Sequence, residues 1–410
     1  MEPNTTVTLN PLLRCVAALD VHQNLLTACV LFVDEHGETK VEIREFRGFK
    51  RARREMARWI ASHGPEEVVM ESTGIYWKSP YSALEKVGIQ AKVVNARHVK
   101  NVPGRKTDIQ DAQWLAIVAR AGLLTNSFVP PENLRGLRLI SRQIQKLTGM
   151  LGSEKNRVHK VLTDGGIRLS VVVSDLHGKS ARAMIKGLLA GETPEQVLRY
   201  ADRRLKATDD ELLEALEGEL TECHRLVVRE LIAHVEYLEQ RIDALFQELL
   251  NGLAPQQAIL DAFQTIPGVD CMAAAMVLVE IGDDMSQFGS PDRLAAWAGL
   301  CPANNQTNKK QRGGKKRKGN PYVRRILCEV AHAARRTQSA LAAKFKGLAL
   351  RRGFKRAIFA LAHRILKIMF WLIQRGDYYR DATVDYEAQS VNRNAPRWIR
   401  MLKKHGYIPA

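Results

Sequence analysis

The chain has 410 residues, 45% of them apolar, which suffices for two or three domains with cores of their own and excludes a disordered tail. Its 62 Lys and Arg against 44 Asp and Glu leave a net charge of +18, which calls for a polyanionic partner, either nucleic acid or an acidic membrane surface. Met1–Asn10 lacks a signal-peptide layout, His363, Arg364 and Lys367 interrupt the most apolar run, and the six cysteines form no Cys-x-x-Cys pair, so secretion, membrane insertion, a zinc knuckle and a disulfide framework are set aside in favour of a cytoplasmic protein.

A strand-like pattern predicts three strands, Cys15–Leu19, Leu25–Val33 and Lys40–Phe46, with a turn at Asp34–Gly37 between the second and third. A helix over Arg51–Ser62, a strand over Glu67–Met70, a helix over Ser79–Val87 and a strand over Ala91–Val94 follow. A helix over Thr107–Ala121 comes next, opened by a Thr107-x-x-Gln110 capping box and stopped by Gly122. The order βββ-α-β-α-β-α matches a ribonuclease H-like α/β fold.

Leu134–Val161 is basic and helical in period, and Gly191–Gln196 and Lys206–Glu211 read as helix starts. A long helix from Glu211 carries Leu231, Val235, Leu238, Ile242, Leu245 and Leu249 at coiled-coil spacing. Such a seam serves either a dimer zipper or one arm of an intramolecular hairpin. Asn251, Gly252 and Pro255 end it.

Thr265–Val269 is a turn between helices, either a helix-hairpin-helix element whose amides meet a phosphate or a plain turn. Ser290 reads as a helix start. Residues 302–321 form a loop with Lys309, Lys310, Arg312, Lys315, Lys316, Arg317 and Lys318, suited to holding phosphates. Basic helices then run from Val323 to about Arg375, before a mixed tail. Residues 300–380 hold 21 Lys or Arg against Glu329 and Asp377, a local charge of +19, so the remaining 329 residues are nearly neutral. Charge concentrated in this way marks a binding surface rather than a general aid to solubility.

Four acids stand where a ribonuclease H-like sheet would converge: Asp20 ending the first strand, Glu71 directly following the fourth, and Asp108 and Asp111 three apart on the following helix. Each singly has a plainer reading, as a strand-end cap, a helix first-turn acid or a solvated side chain. Together, four close carboxylates repel unless divalent cations neutralise them, which points to Mg²⁺ or Mn²⁺ and metal-dependent phosphodiester cleavage.

With these residues in place the sequence resembles the DEDD-type transposases of bacterial insertion sequences, a family that includes pilin-gene invertases and bridge-RNA-guided recombinases. The resemblance rests on Leu19-Asp20-Val21-His22, on Met70 to Trp77 (MESTGIYW) and on Lys106 to Ala112 (KTDIQDA). It continues through Ile266-Pro267-Gly268-Val269, Glu280-Ile281-Gly282-Asp283, Trp297 to Pro302 (WAGLCP), Lys318-Gly319-Asn320 and Arg324-Arg325.

It implies a RuvC-like DEDD nuclease domain over 1–130, a helical linker and coiled coil over 131–252, a helical transposase domain over 253–380 and a tail over 381–410. It also implies a nucleophilic serine in the loop after the Gly-Leu-x-Pro motif, a position occupied here by Thr307, whose hydroxyl can do the same chemistry. The implied function is a recombinase that cuts donor and target DNA, holds an end covalently and exchanges strands. A structured bridge RNA would guide it, and a dimer or tetramer would form through the coiled coil. Lys309 to Lys318, Arg324 and Arg325 would grip the nucleic acid. The rival readings are a junction-resolving nuclease without a covalent intermediate and a non-catalytic nucleic-acid binder.

Overall fold

A computed structural model describes residues 11–72, 74–94, 111–301, 306–307, 310–311, 319–381 and 386–409. The chain divides into two compact units, Met1–Val129 and Pro130–Ala410.

The first unit is a five-stranded sheet with helices on both faces. β1 (Cys15–Val21), β2 (Leu25–Val33), β3 (Thr39–Arg47), β4 (Glu67–Glu71) and β5 (Lys92–Val94) lie in the order β3-β2-β1-β4-β5. The first three strands are mutually antiparallel, while β4 runs parallel to both β1 and β5. The element order is the one expected from the sequence. Asp34 makes the predicted turn by accepting the amides of His36 and Glu38 on Oδ1, with Gly37 at φ +80°.

β1 is central and covered on both faces, so it reads as a nearly unbroken apolar run. Residues of one parity, Ala17, Leu19 and Val21, join Val68 and Met70 of β4 under α1 (Lys50–Ser62) and α2 (Lys78–Glu85). Residues of the other parity, Val16 and Ala18, join Val69, Val94 and four buried residues of α3 (Asp111–Arg120). The Thr107–Gln110 capping box expected at the start of this helix lies outside the described residues. Gly122, at φ +69°, ends the helix as expected.

In the second unit, α4 (Glu132–Asp164) and α6 (Glu222–Gly252) form a long pair. A Cβ on Gly252 would meet Leu137, His234 reaches Glu154, Lys155 reaches Glu239, and His224 reaches Asp164, so the helices run antiparallel within one chain. The apolar seam therefore serves the intramolecular hairpin. Val228, Ile232, Val235, Leu238, Ile242 and Leu249 are buried along it, while Leu231 and Leu245 sit at its half-buried flanks.

The helix begins at Glu222 rather than Glu211, because a separate helix, Asp209–Leu216, intervenes. The chain then turns at Gly218, where a Cβ would stand 2.6 Å from the Gly165 carbonyl. The two predicted helix starts are capping boxes at Thr193 and Thr208, and Thr221 makes a third. Between α4 and α6 lies α5 (Lys179–Leu189).

The remaining helices are α7 (Gln257–Gln264), α8 (Cys271–Ile281), α9 (Pro291–Trp297), α10 (Pro321–Ala334), α11 (Ala340–Arg352), α12 (Phe354–Arg375) and α13 (Tyr386–Lys404). The last was not anticipated from the mixed tail. Ser290 caps α9 through Oγ, as expected. α12 is long and apolar enough to cross a membrane by length and composition alone. Its apolar stripe, including Leu361, Ile365, Leu366 and Phe370, is buried against α9, α10 and α11, and it serves as a core helix.

Candidate active site and nucleic-acid interface

In the register of β1 with β4, Leu19 pairs with Met70, so Asp20 and Glu71 are the next residues on two adjacent parallel strands. Asp20 has the parity of Val16 and Ala18, and Glu71 that of Val69, which places both carboxylates on the face covered by α3. The amides of Leu12 and Leu13 donate to the Arg120 carbonyl, and Arg120 Nε donates to Leu13 O at 3.0 Å. The C-terminus of α3 is thereby fixed beside the start of β1. The helix runs back along the sheet, and its first described residue, exposed Asp111, lies toward the end where β1 and β4 finish.

Three of the four predicted acids thus share one end of one sheet face; Asp108 lies outside the described residues. Asp20 and Glu71 are half-buried. Among the described residues, no three Asp, Glu, His or Cys side chains are grouped closely enough to hold a metal ion together. The donors are hard carboxylate oxygens, a set that suits Mg²⁺ or Mn²⁺ rather than a softer metal. His22 of the first motif lies beside the site, its Nε2 3.3 Å from Asp20 Oδ2. The MESTGIYW motif divides its work. Trp77 meets Tyr81 edge to face at 5.7 Å over the sheet core, while Ile75 and Tyr76 stand 70% and 39% exposed close to Glu71.

The basic loop is anchored at its root. The Asn320 amide donates to the Trp297 carbonyl, and a Cβ on Gly319 would lie 2.2 Å from the Gly299 nitrogen, so two backbones cross where only glycine fits. Gly299 itself takes φ +72°. Asn320 Oδ1 caps α10 by accepting the amides of Tyr322 and Val323, and its Nδ2 donates to Glu280 Oε2 at 2.7 Å.

Glu280 is fully buried on α8 and also accepts from Arg142 at 2.7 and 3.0 Å, with Arg138 Nε 3.1 Å from Oε2. Burial pushes Arg138 down to about 10, which still leaves it charged at neutral pH, and Arg142 covers the Tyr322 ring at 4.3 Å. Glu280, Gly319 and Asn320 of the sequence motifs therefore fix the root of the loop. The Arg138 and Arg142 partners were not visible in the sequence, because they lie on a helix some 140 residues away.

Within the loop, Gln306–Thr307 pairs antiparallel with Lys310–Gln311, setting the Thr307 backbone opposite that of Lys310. Lys309, Arg312, Lys315, Lys316, Arg317 and Lys318 lie outside the described residues. Arg324 is half-buried, its guanidinium against Gly299, and Arg325 is exposed and paired with Glu329 at 3.1 Å. The Ile-Pro-Gly-Val turn joins α7 to α8. Its Gly268, at φ +88°, faces the Ala334 backbone, and Asp270 caps α8.

A carboxylate-bearing sheet followed by a basic helical region is the arrangement of a DNA-processing enzyme. The comparison with known proteins supplies the class. A family model for the DEDD transposases of IS110, described as a transposase, matches residues 17–166, and one described as the transposase IS116/IS110/IS902 family matches residues 260–346. The transposase of insertion sequence element IS1111A from Coxiella burnetii is 28% identical over 323 residues, covering 76% of this chain and 79% of its own. The transposase of insertion sequence element IS1328 from Yersinia enterocolitica is 25% identical over 303 residues, covering 73% and 78%. The chain belongs to the IS110 family of DEDD transposases, enzymes that cleave and recombine DNA. The Arg138 and Arg142 contacts to Glu280, which also accepts from Asn320, join the segments matched by the two models.

Proposed function

We propose that this transposase joins donor and target DNA by metal-dependent strand cleavage and covalent strand exchange under the guidance of an element-encoded bridge RNA. The observation that carries the reading is the placement of Asp20 and Glu71 on adjacent strands, on the face that α3 covers and toward the end where Asp111 lies. The sheet order supports a ribonuclease H-like, RuvC-like nuclease domain. Asp20, Glu71, Asp108 and Asp111 would hold Mg²⁺ or Mn²⁺, which when bound stabilises the attacking and leaving oxygens of an in-line displacement.

Thr307 acts as the nucleophile. Its hydroxyl bonds to the phosphorus as one sugar oxygen leaves, and the reverse attack by a second strand's hydroxyl releases Thr307 and joins the strands. The energy of the phosphodiester is retained throughout, which strand exchange requires and hydrolysis forfeits. Lys309, Lys310, Arg312, Lys315 to Lys318, Arg324 and Arg325 grip backbones, leaving sequence recognition to pairing with the RNA. Exposed Ile75 and Tyr76 add apolar surface near Glu71 for stacked bases. The enzyme works in the bacterial cytoplasm. With the Leu231 to Leu249 seam engaged by α4, a dimer or tetramer would use another surface.

Co-expression of the chain with its flanking element sequence tests the reading. An RNA should co-purify, and a detergent-resistant DNA adduct should map to Thr307. Thr307→Ala should lose both adduct and strand transfer, whereas a junction-resolving nuclease would keep cutting. Asp20→Ala and Asp111→Ala should each lower cleavage by at least about a hundredfold, the loss of several kcal/mol of transition-state stabilisation. Cleavage that survives Asp20→Ala removes the carboxylate site from consideration.

A further inference from the structure

A cavity of about 650 Å³ opens where α11 and α12 meet the Gly299–Cys301 segment, immediately before the basic loop. Its size falls in the range of sites that hold one small organic group, about 300 to 1,000 Å³. The bend at Gly353, φ +79°, separates the two helices, so Arg352 approaches from one and Lys355 and Arg356 from the other. All three cations are exposed. Buried Leu300 and half-buried Leu348 and Phe359 supply apolar lining.

Among the described residues, no carboxylate lines the cavity. Asp292, the acid nearest in effect to His363, is already held by Lys367 at 2.9 Å. His363 also lines it; burial first, then the charges of Lys367 and Arg364, hold its imidazole below the usual range. A neutral imidazole offers one donor and one acceptor, the pattern a base edge can read.

An apolar lining with an aromatic ring, three converging cations and no acid is complementary to a base carrying its phosphate. We propose that this cavity receives a single unstacked nucleotide, its base against Leu300, Leu348 and Phe359 and its phosphate against Arg352, Lys355 and Arg356. The inference rests on the transposase reading and adds a definite pocket to it, beside the root of the loop that carries Thr307.

Photocrosslinking of the full chain tests it. The probes are a short oligothymidylate containing 4-thiothymidine and a short oligouridylate containing 4-thiouridine. Crosslinks should map to peptides containing Cys301, Phe359 or His363, and whichever probe gives them identifies DNA or RNA as the source. Ala360→Trp, which fills the cavity from an exposed position, should remove those crosslinks and weaken binding about tenfold, near the value of one base contact. The double variant Arg352→Glu/Arg356→Glu should weaken binding more than Lys403→Glu/Lys404→Glu on α13, and thermal melts of each variant check its folding.

Crosslinks elsewhere, or affinity unchanged by both Ala360→Trp and the Arg352/Arg356 reversal, overturn the pocket. Cleavage of element DNA by the wild-type chain is read in parallel. If it persists while the pocket fails, only this inference falls; if it is absent, the transposase reading falls first.

Discussion

Glu280 carries a full negative charge into the interior with no exposed surface, and two arginines and one asparagine compensate it. Removing one partner of such a cluster leaves uncompensated charge, so Glu280→Ala should lower unfolding free energy by about 3 to 5 kcal/mol in denaturant titration. A sharper test separates stability from loop placement. Asn320→Asp keeps a good helix cap for α10 but sets a carboxylate against Glu280, whereas Glu280→Gln/Asn320→Asp restores the hydrogen bond with donor and acceptor exchanged. The single Asn320→Asp variant should be cut faster by trypsin at Lys309 to Lys318 and lose strand transfer, and the double variant should recover both.

At this scale the sequence was informative where chemistry is local. Asp20 and Glu71 were legible because each directly follows a short apolar run, and the element order of the domain sets those two strands side by side. The partners of Glu280 were not, since only tertiary packing brings α4 to α8. The tie between His22 and Asp20 was also missed, because a histidine two residues from an acid at a strand end carries no distinctive spacing.

Among elements, the hairpin of α4 and α6 shows how one apolar pattern can serve two architectures. Leucines at heptad spacing state that a helix will be partnered; they do not state by which chain. The answer came from α4, whose basic and polar residues obscured its complementary stripe of Leu134, Ile144, Val158 and Leu162. The start of α6 was misplaced for a related reason, since the break near Gly218 depends on a close approach to Gly165 far away in sequence.

Charge finishes the hairpin. Glu239 accepts from Arg182 of α5 at 2.8 and 3.0 Å and meets Lys155 of α4 at 2.8 Å, and its carboxyl is held down to about 2, first by the Arg182 hydrogen bonds. A folded-state value below the ordinary 4.5 contributes stability that is fully present above pH 4.5 and lost as pH falls from there toward 2. Solvent screening limits the net gain to about 1 kcal/mol. Arg182→Ala should therefore lower Tm at pH 7 and flatten the acid side of the stability profile between those limits. An unchanged slope there would mean that Glu239 is not the titrating group. Leu238→Ala, deep in the seam, should cost about 2 to 5 kcal/mol at any pH.

For the whole molecule, the concentrated positive charge and the predicted acidic site are separated along the chain. Residues 300–380 carry +19 while the remainder is close to neutral, and of the four predicted catalytic acids two sit on the sheet of the first unit and a third on the helix packed against it. If gripping and cutting are divided in the same way, the two should respond to different variants. Binding that neutralises phosphates releases counterions, so log affinity for duplex DNA falls against log salt with a slope of about −0.9 per phosphate. Lys315→Ala/Lys316→Ala should reduce the magnitude of that slope by about 2 and weaken binding across all DNA sequences alike. Asp20→Ala should leave the slope unchanged while abolishing cleavage. Arg54→Ala/Lys86→Ala, two exposed cations of the first unit, should change neither slope nor affinity appreciably. A slope that fell as much for Arg54→Ala/Lys86→Ala as for the loop variant would place the grip on the first unit, and the concentration of charge in residues 300–380 would then need another explanation.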